Sequence, residues 1–354
     1  MKIEKNELSQ KISKLKQVVP KKNANLAMRG ILVKDGYLIA NNMELTIKAK
    51  TEGADGELFI IPAKAFDLIN NLPDGNVEII PENKGEVFSI TIKAENIKNK
   101  YQTMNPKDFP LPNTEGENGG EFSIQSGNLL TSMKRVSYAI PLFSPTRIMT
   151  ALCLRASEGR LNFIGADGHV LAWDNVCFSG EFELLIPKAT IDRLLSIGLE
   201  GKVSIRYNGN GATFITDEYE VYTRIIDGKY FNYEKMFGDL SLNTVIARDD
   251  LLEAMVRAKM CTEEKSPARF FFKGQKVDIS IKDNTTDYQE AVALHEEISQ
   301  EMIIGFDARL VIETLKAFDC DNVAINLENA KMPMIIKAED SDFKAVVLPV
   351  ALAG

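Results

Sequence analysis

The chain holds only two histidines, His169 and His295. His169 closes the triplet Asp167-Gly168-His169, where a carboxylate and an imidazole stand close enough in sequence to suggest acid–base chemistry. Their side chains are two residues apart, and no nucleophile stands nearby in sequence, so a turn with a hydrogen-bonded histidine is the simpler expectation. An enzyme built around Asp167 and His169 is kept as an alternative. His295 precedes Glu296-Glu297 and is assigned no role. The glycines of Tyr207-Asn208-Gly209-Asn210-Gly211-Ala212 suit a hairpin and lack the strand-to-helix setting of a nucleotide-binding loop. The four cysteines, Cys153, Cys177, Cys261 and Cys320, show no CxxC spacing. That pattern predicts neither a disulfide framework nor a zinc site, and a reduced intracellular protein. No cofactor or metal is expected.

The elements that would position any such chemistry are written three times. Ile61-Pro62-Ala63-Lys64-Ala65-Phe66, Ile186-Pro187-Lys188-Ala189-Thr190-Ile191 and Gly305-Phe306-Asp307-Ala308-Arg309-Leu310 each lead through a polar turn to a strand, centred on Val77, Val203 and Val323. The offsets are 126 and 120 residues. A second family of helical stripes begins at Leu8, Leu129 and Leu251, spaced by 121 and 122 residues. In the third, Asp249 and Asp250 are cap candidates. A period of about 120 residues is the size of a domain. Hairpins are expected about Lys34-Asp35-Gly36 and Ser157-Glu158-Gly159, with Phe270–Ile281 as the third copy. Each repeat is thus an α+β unit with antiparallel sheet. The expected boundaries are 1–120, 121–240 and 241–354, divided by the turn-rich stretches 110–120 and 238–243. Triplication favours a shape-building protein over one catalytic cleft.

An apolar content of 45% lets each third bury its own core. The opening Met1-Lys2-Ile3-Glu4-Lys5 lacks an apolar signal core, and no run nears the about 18 apolar residues of a membrane span. A soluble, cytoplasmic protein is expected. The formal net charge of −8 argues by itself against nucleic-acid binding. The expected helices at 7–19, 62–72, 126–140, 187–198, 248–260 and 307–318 differ from the rest. They hold thirteen basic and eight acidic residues, a net of +5, leaving −13 elsewhere. The third-repeat helices are neutral on this count. The basic residues are either ordinary solvated cations or a lining that touches phosphates without reading sequence.

Four motifs give the chain a resemblance to the bacterial sliding clamp, the DNA polymerase III beta subunit. Ala166-Asp167-Gly168-His169-Val170-Leu171-Ala172 resembles the family's T-D-G-H-R-L-A, and Asp227-Gly228-Lys229-Tyr230-Phe231-Asn232-Tyr233 its D-G-x-F-P-D-Y. Asp108-Phe109-Pro110 resembles D-F-P, and Val346-Val347-Leu348-Pro349-Val350-Ala351-Leu352 resembles V-V-M-P-M-R-L. The order is right and the coverage essentially complete. The resemblance implies three clamp-type domains per chain in a head-to-tail homodimeric ring, with helices lining the hole and antiparallel sheets outside. It implies a non-enzymatic processivity factor that encircles double-stranded DNA. The implied partners are the DNA polymerase III catalytic subunit, the clamp loader and other replication or repair proteins carrying a peptide motif.

Site residues carry over position by position. The resemblance implies a partner-peptide groove between the second and third domains. Its residues would be Gly168, His169, Val170, Leu171, Phe231, Lys235, Met236, Asp307, Leu310, Val346, Val347, Leu348, Pro349, Val350 and Leu352. Ala166 replaces the usual Thr, Val170 the usual Arg, Phe231 the usual Pro, and Asp307 an Asn of some members, which predicts a more apolar and differently charged pocket. DNA contacts are implied at Lys22 and Arg147, with Lys11, Lys14, Lys134, Arg135, Lys188 and Arg193 as the helical lining. Phe109, Met260 and Cys261 are implied at the dimer contact. A clamp-like docking platform that never loads on DNA is the second alternative.

Overall fold

The structure, a computed structural model, describes residues 1–114, 119–238, 240–261, 267–282 and 286–352. Parts of both expected boundary stretches, 115–118 and 239, lie outside the described residues. Two compact units emerge. Unit 1 comprises Met1–Leu130 with Asp192–Ile225, and unit 2 comprises Thr131–Ile191 with the chain from Ile226 onward.

Six α-helices occur among the described residues: α1 (Lys5–Leu15), α2 (Phe66–Asn70), α3 (Ser126–Ser137), α4 (Lys188–Ile197), α5 (Arg248–Met260) and α6 (Ala308–Lys316). All six coincide with expected segments, and their ends show the local physics. In α1, Leu8, Ile12 and Leu15 are fully buried at helical spacing. The helix stops at Leu15, four residues before the expected end: Pro20 has no N–H for the Lys16 carbonyl four residues back, and its ring crowds that carbonyl. The chain instead tightens, with the Val18 amide donating to the Leu15 carbonyl. The 62–72 segment shrinks to a 3₁₀ turn, Ala63–Ala65, followed by the five residues of α2. Asp249 and Asp250 are not caps. The N-cap of α5 is Ala247, and both acids fall inside the first turn, where they act through the helix dipole.

Unit 1 carries an eight-stranded antiparallel sheet in the order Leu58–Pro62, Gly30–Lys34, Tyr37–Asn41, Leu45–Lys50, Tyr219–Arg224, Gly211–Ile215, Lys202–Tyr207, Gly120–Gln125. Four strands of the first repeat are thereby joined to four of the second, with Ile47 opposite Val221 at the junction. Unit 1 also holds a four-stranded sheet of Lys2–Glu4, Asn76–Lys84, Val87–Ala94 and Ile97–Thr103. Unit 2 repeats the device. Its eight strands run Phe182–Pro187, Ala151–Ser157, Arg160–Ala166, Val170–Cys177, Lys344–Val347, Met334–Ala338, Asn322–Leu327, Leu242–Ala247. Here the second repeat joins the third, with Val170 opposite Val347 and Trp173 opposite Lys344.

The first two hairpins form as expected, turning on Asp35-Gly36 and Glu158-Gly159 with both residues of each pair at positive φ. The third copy differs. Ala268–Lys282 runs as one strand paired with Asp287–Phe306, with irregular register on either side of Gly274. Lys273-Gly274-Gln275 places only Gly274 at positive φ, so it bulges the ladder where a type I′ turn would reverse it.

The tail leaves the sheet after Val347. The Leu348 amide donates to the His169 carbonyl, and the Val350 amide to the Gly305 carbonyl, each at 2.8 Å. Gly305 makes room for this path: a Cβ there would lie 2.7 Å from a Leu352 methyl and 2.8 Å from the Val350 carbonyl oxygen. Gly305→Val should therefore detach residues 350–352 while leaving the sheets folded. Faster proteolysis of the C-terminus with an unchanged circular dichroism spectrum is the expected result.

Candidate functional site

The site grows from the turn that the two histidine-bearing readings contested. Asp167 Oδ1 accepts from the backbone amides of His169 and Val170, both at 2.8 Å. The carboxylate is committed to an Asx-type turn, which removes the basis for an Asp167–His169 acid–base pair. The turn starts the strand Val170–Cys177, and its His169 carbonyl pins the tail. Beside it lies an apolar depression of about 250 Å³, lined by Met149, Ala166, Gly168, His169, Val170, Leu171, Phe231, Met236, Val346 and Leu348. All of it belongs to unit 2.

Three elements shape the depression. The paired strands Val170–Cys177 and Lys344–Val347 form its floor, where Leu171 faces Val346. The tail gives one wall through Leu348. The other wall is the segment 226–237, in which Phe231 stacks on Tyr230 at 4.7 Å and Met236 is 38% exposed. Two clasps hold this segment to the sheet. Arg155 on Ala151–Ser157 gives 2.6 Å and 2.5 Å bonds to Glu183 Oε2, while Glu183 Oε1 accepts from the Tyr230 amide at 3.0 Å. At the other clasp, Tyr233 and Phe237 pack edgewise on Trp173 at 4.9 and 5.3 Å, and the Lys344 ammonium lies 3.7 Å from the centre of the indole ring. Burial and the nearby Lys337 lower the Lys344 pKa, while the indole face favours its charged form.

Of the pocket residues expected from sequence, Gly168, His169, Val170, Leu171, Phe231, Met236, Val346 and Leu348 converge on the depression. Val347 points the other way along its strand and is fully buried, as the period of two requires. Lys235 is exposed beside Met236 and does not line the cavity. Asp307 is the N-cap of α6, accepting from Arg309 at 2.8 Å. Leu310, Pro349, Val350 and Leu352 are half-buried away from the cavity lining. Two lining residues were not anticipated. Ala166 stood only as a departure from the family pattern. Met149 sits in the 3₁₀ turn Arg147–Thr150, where no periodicity marks its face.

The expected DNA contacts divide in two. Lys22, Lys134 and Arg147 are exposed. Lys11 is tied to Glu7 and to the Lys50 carbonyl, and Lys14 donates to the Ile197 carbonyl at 2.8 Å over the Tyr219 ring. Arg135 bridges Asp174 and Asp319 at 3.4 and 3.5 Å. Lys188 and Arg193 are half-buried. Of the expected dimer residues, Met260 is 79% exposed and Cys261 half-exposed. Phe109 is 5% exposed, packed with Ala27, Leu32, Ile39 and Ile60 inside unit 1.

The fold is that of a DNA clamp. Over 99% of its length the chain superposes on the DNA polymerase III subunit beta of Pseudomonas aeruginosa, covering 100% of that chain with a TM-score of 0.90 at 22% identity. Residues 240–351 match the family described as DNA polymerase III beta subunit, C-terminal domain. The beta sliding clamp of Pseudomonas aeruginosa is 24% identical over 315 residues, 84% of this chain and 82% of that protein. The beta sliding clamp of Chlamydia pneumoniae is 23% identical over 369 residues, 99% and 98% of the two chains. The relatives and the match over 240–351 are thus of the family suggested by the four short motifs, that of the bacterial sliding clamp. Among the described residues, no three His, Cys, Asp or Glu side chains gather to hold a metal ion, and no helix is long and apolar enough to cross a membrane.

The burial of Phe109 carries a test. Phe109→Ala should destabilise unit 1 by about 3–5 kcal/mol through cavity formation. Denaturation at several protein concentrations checks this: a loss that does not depend on concentration identifies a core residue, and one that appears only near dissociation identifies an interface residue.

Proposed function

We propose that this chain is a non-enzymatic DNA polymerase processivity factor. Two copies of three domains each, 1–120, 121–240 and 241–354, close head to tail into a ring around duplex DNA. The apolar depression tethers the polymerase catalytic subunit, the clamp loader and other peptide-bearing replication or repair proteins. The work is done in the cytoplasm.

One observation carries the ring. At each splice, the fourth strand of one repeat pairs with the last strand of the next, Leu45–Lys50 with Tyr219–Arg224 and Val170–Cys177 with Lys344–Val347. Among the sheet edges that remain are Ile97–Thr103, in the four-stranded sheet, and Asp287–Phe306, in the two-stranded ladder. Open edges invite pairing. The first carries Lys98 and Lys100 and the second Asp287, Glu290, Glu296 and Glu297, opposite in sign, with Lys100, Asp287 and Glu290 already engaged within the chain by Glu82, Lys282 and Arg257. A second copy supplies each edge with its missing neighbour, and two such contacts close the assembly. Confinement then retains the DNA, so the few exposed cations need only weak, salt-screened phosphate contacts.

The depression suits a short peptide with two large apolar side chains, each contributing about 1.5–3 kcal/mol on full burial. Val170 and Phe231 leave its lining uncharged. The engagement of Lys11, Lys14 and Arg135 within the chain, together with the neutral third-repeat helices, favours a second reading as a docking platform that does not load on DNA.

Solution mass should be about twice the 39.4 kDa of the chain. It should fall toward the monomer value when Lys98 and Lys100 are both replaced by Glu; a strict monomer at micromolar concentration contradicts the ring. Loaded onto nicked circular DNA with a clamp loader, the protein should be retained and then lost on linearisation. Equal retention on both substrates would mean surface binding, and no retention would favour the platform. Leu348→Ala should weaken a labelled pentapeptide bearing leucine and phenylalanine anchors by about tenfold, from lost apolar burial.

A further inference from the structure

The segment 226–237 supplies a wall of the depression yet makes no strand of its own. Its place is set by groups outside the cavity. The Ile226 amide donates to the Leu185 carbonyl at 2.9 Å, which fixes where the segment leaves the sheet. Five residues on, Phe231 lines the cavity, and five further on, so does Met236. Between and beyond these two residues lie the clasped ones. The Tyr230 amide is held by Glu183, Tyr233 lies under the Arg155 guanidinium at 5.0 Å, and Phe237 meets Trp173. Each lining residue of the wall is therefore adjacent in sequence to a clasped residue.

We infer that Arg155, Glu183, Trp173 and Lys344 are positioning residues for the peptide depression, holding the segment 226–237 as a strap so that the cavity is preformed. This rests on the reading of the depression as a peptide site. Each clasp uses a charge in a half-buried setting. Glu183 spends one carboxylate oxygen on the guanidinium and the other on the strap's backbone, so the ion pair and the strap share one acceptor group. Lys344 sits over the indole at 3.7 Å and within 4.9 Å of the Phe237 ring centre, so one ammonium bridges the strap's last aromatic to the sheet. Trp173 is itself fixed, its Nε1 donating to Asn162 Oδ1 at 2.9 Å.

A strap held in this way makes a kinetic statement. If a clasp is weakened, the strap is seated only part of the time, and the apparent affinity falls by that fraction. The loss appears in the association rate, because the seated state still binds as before. Removing a lining side chain instead removes contacts from the complex and speeds dissociation.

The test uses the full chain and the labelled leucine–phenylalanine pentapeptide in stopped-flow kinetics. Glu183→Gln keeps an acceptor for the Tyr230 amide and removes the charge that grips Arg155. Lys344→Met removes the bridging cation at the other clasp, and reports independently if the first variant does not fold. Both should slow association by about five- to tenfold with little change in dissociation. Leu348→Ala should do the reverse. Trp173 is the only tryptophan in the chain, so its emission in Glu183→Gln, whose clasp reaches the indole through Tyr233, should shift to the red as the strap loosens. Association within about twofold of the original in both clasp variants overturns the inference, whether or not the emission moves. Failure of the unsubstituted chain to bind the peptide overturns the peptide-site reading beneath it.

Discussion

An antiparallel ladder that crosses from one repeat to the next holds this architecture together. In unit 2 it is the pairing of Val170–Cys177 with Lys344–Val347, and in unit 1 that of Leu45–Lys50 with Tyr219–Arg224. Each pairing turns two four-stranded sheets, each with an exposed edge, into one eight-stranded sheet. Backbone hydrogen bonds leave no edge donors or acceptors unpaired at the junction, and the apolar faces on either side become continuous. The apolar depression follows directly. Its floor is the junction itself, so the site cannot exist within either repeat alone.

The same constraint accounts for the contrast between two similar connectors. Asp108-Phe109-Pro110 and Asp227-Gly228-Lys229-Tyr230-Phe231 each follow a sheet and lead into the next repeat. In unit 1, Phe109 turns inward and completes a cluster with Ala27, Leu32, Ile39 and Ile60. In unit 2, the buried role passes to Tyr230 and Tyr233, which are 3% and 0% exposed, and Phe231 is left at the edge of the cavity. One connector buries its phenylalanine, and the other leaves Phe231 at the cavity wall.

Charge is distributed by the same long-range geometry. The excess of basic residues on the helices is genuine in composition, yet part of it is consumed within the fold. Lys14 reaches the Ile197 carbonyl across 183 residues of sequence, and Arg135 spans Asp174 and Asp319. Such cations satisfy helix ends and carboxylates, while Lys16, Lys64, Lys134 and Arg309 of the same segments stay exposed.

The sequence by itself determined the features governed by short-range rules. Helical spacing located three of the helices and the threefold repeat the other three, the turn residues Asp35-Gly36 and Glu158-Gly159 located the first two hairpins, and the Asp167 turn was visible because an Asx turn needs only its neighbours. Eight of the fifteen residues carried over through motif resemblance line the depression, because the turn, the last strand and the connector each carry their own pattern. Only the tertiary structure decided which of those residues share a cavity. Val346 and Val347 differ by one residue and face opposite ways, Asp307 is drawn off to cap α6, and Met149 enters from a turn without periodicity. Burial and pairing depend on partners a hundred or more residues away, and no local pattern encodes which partner arrives.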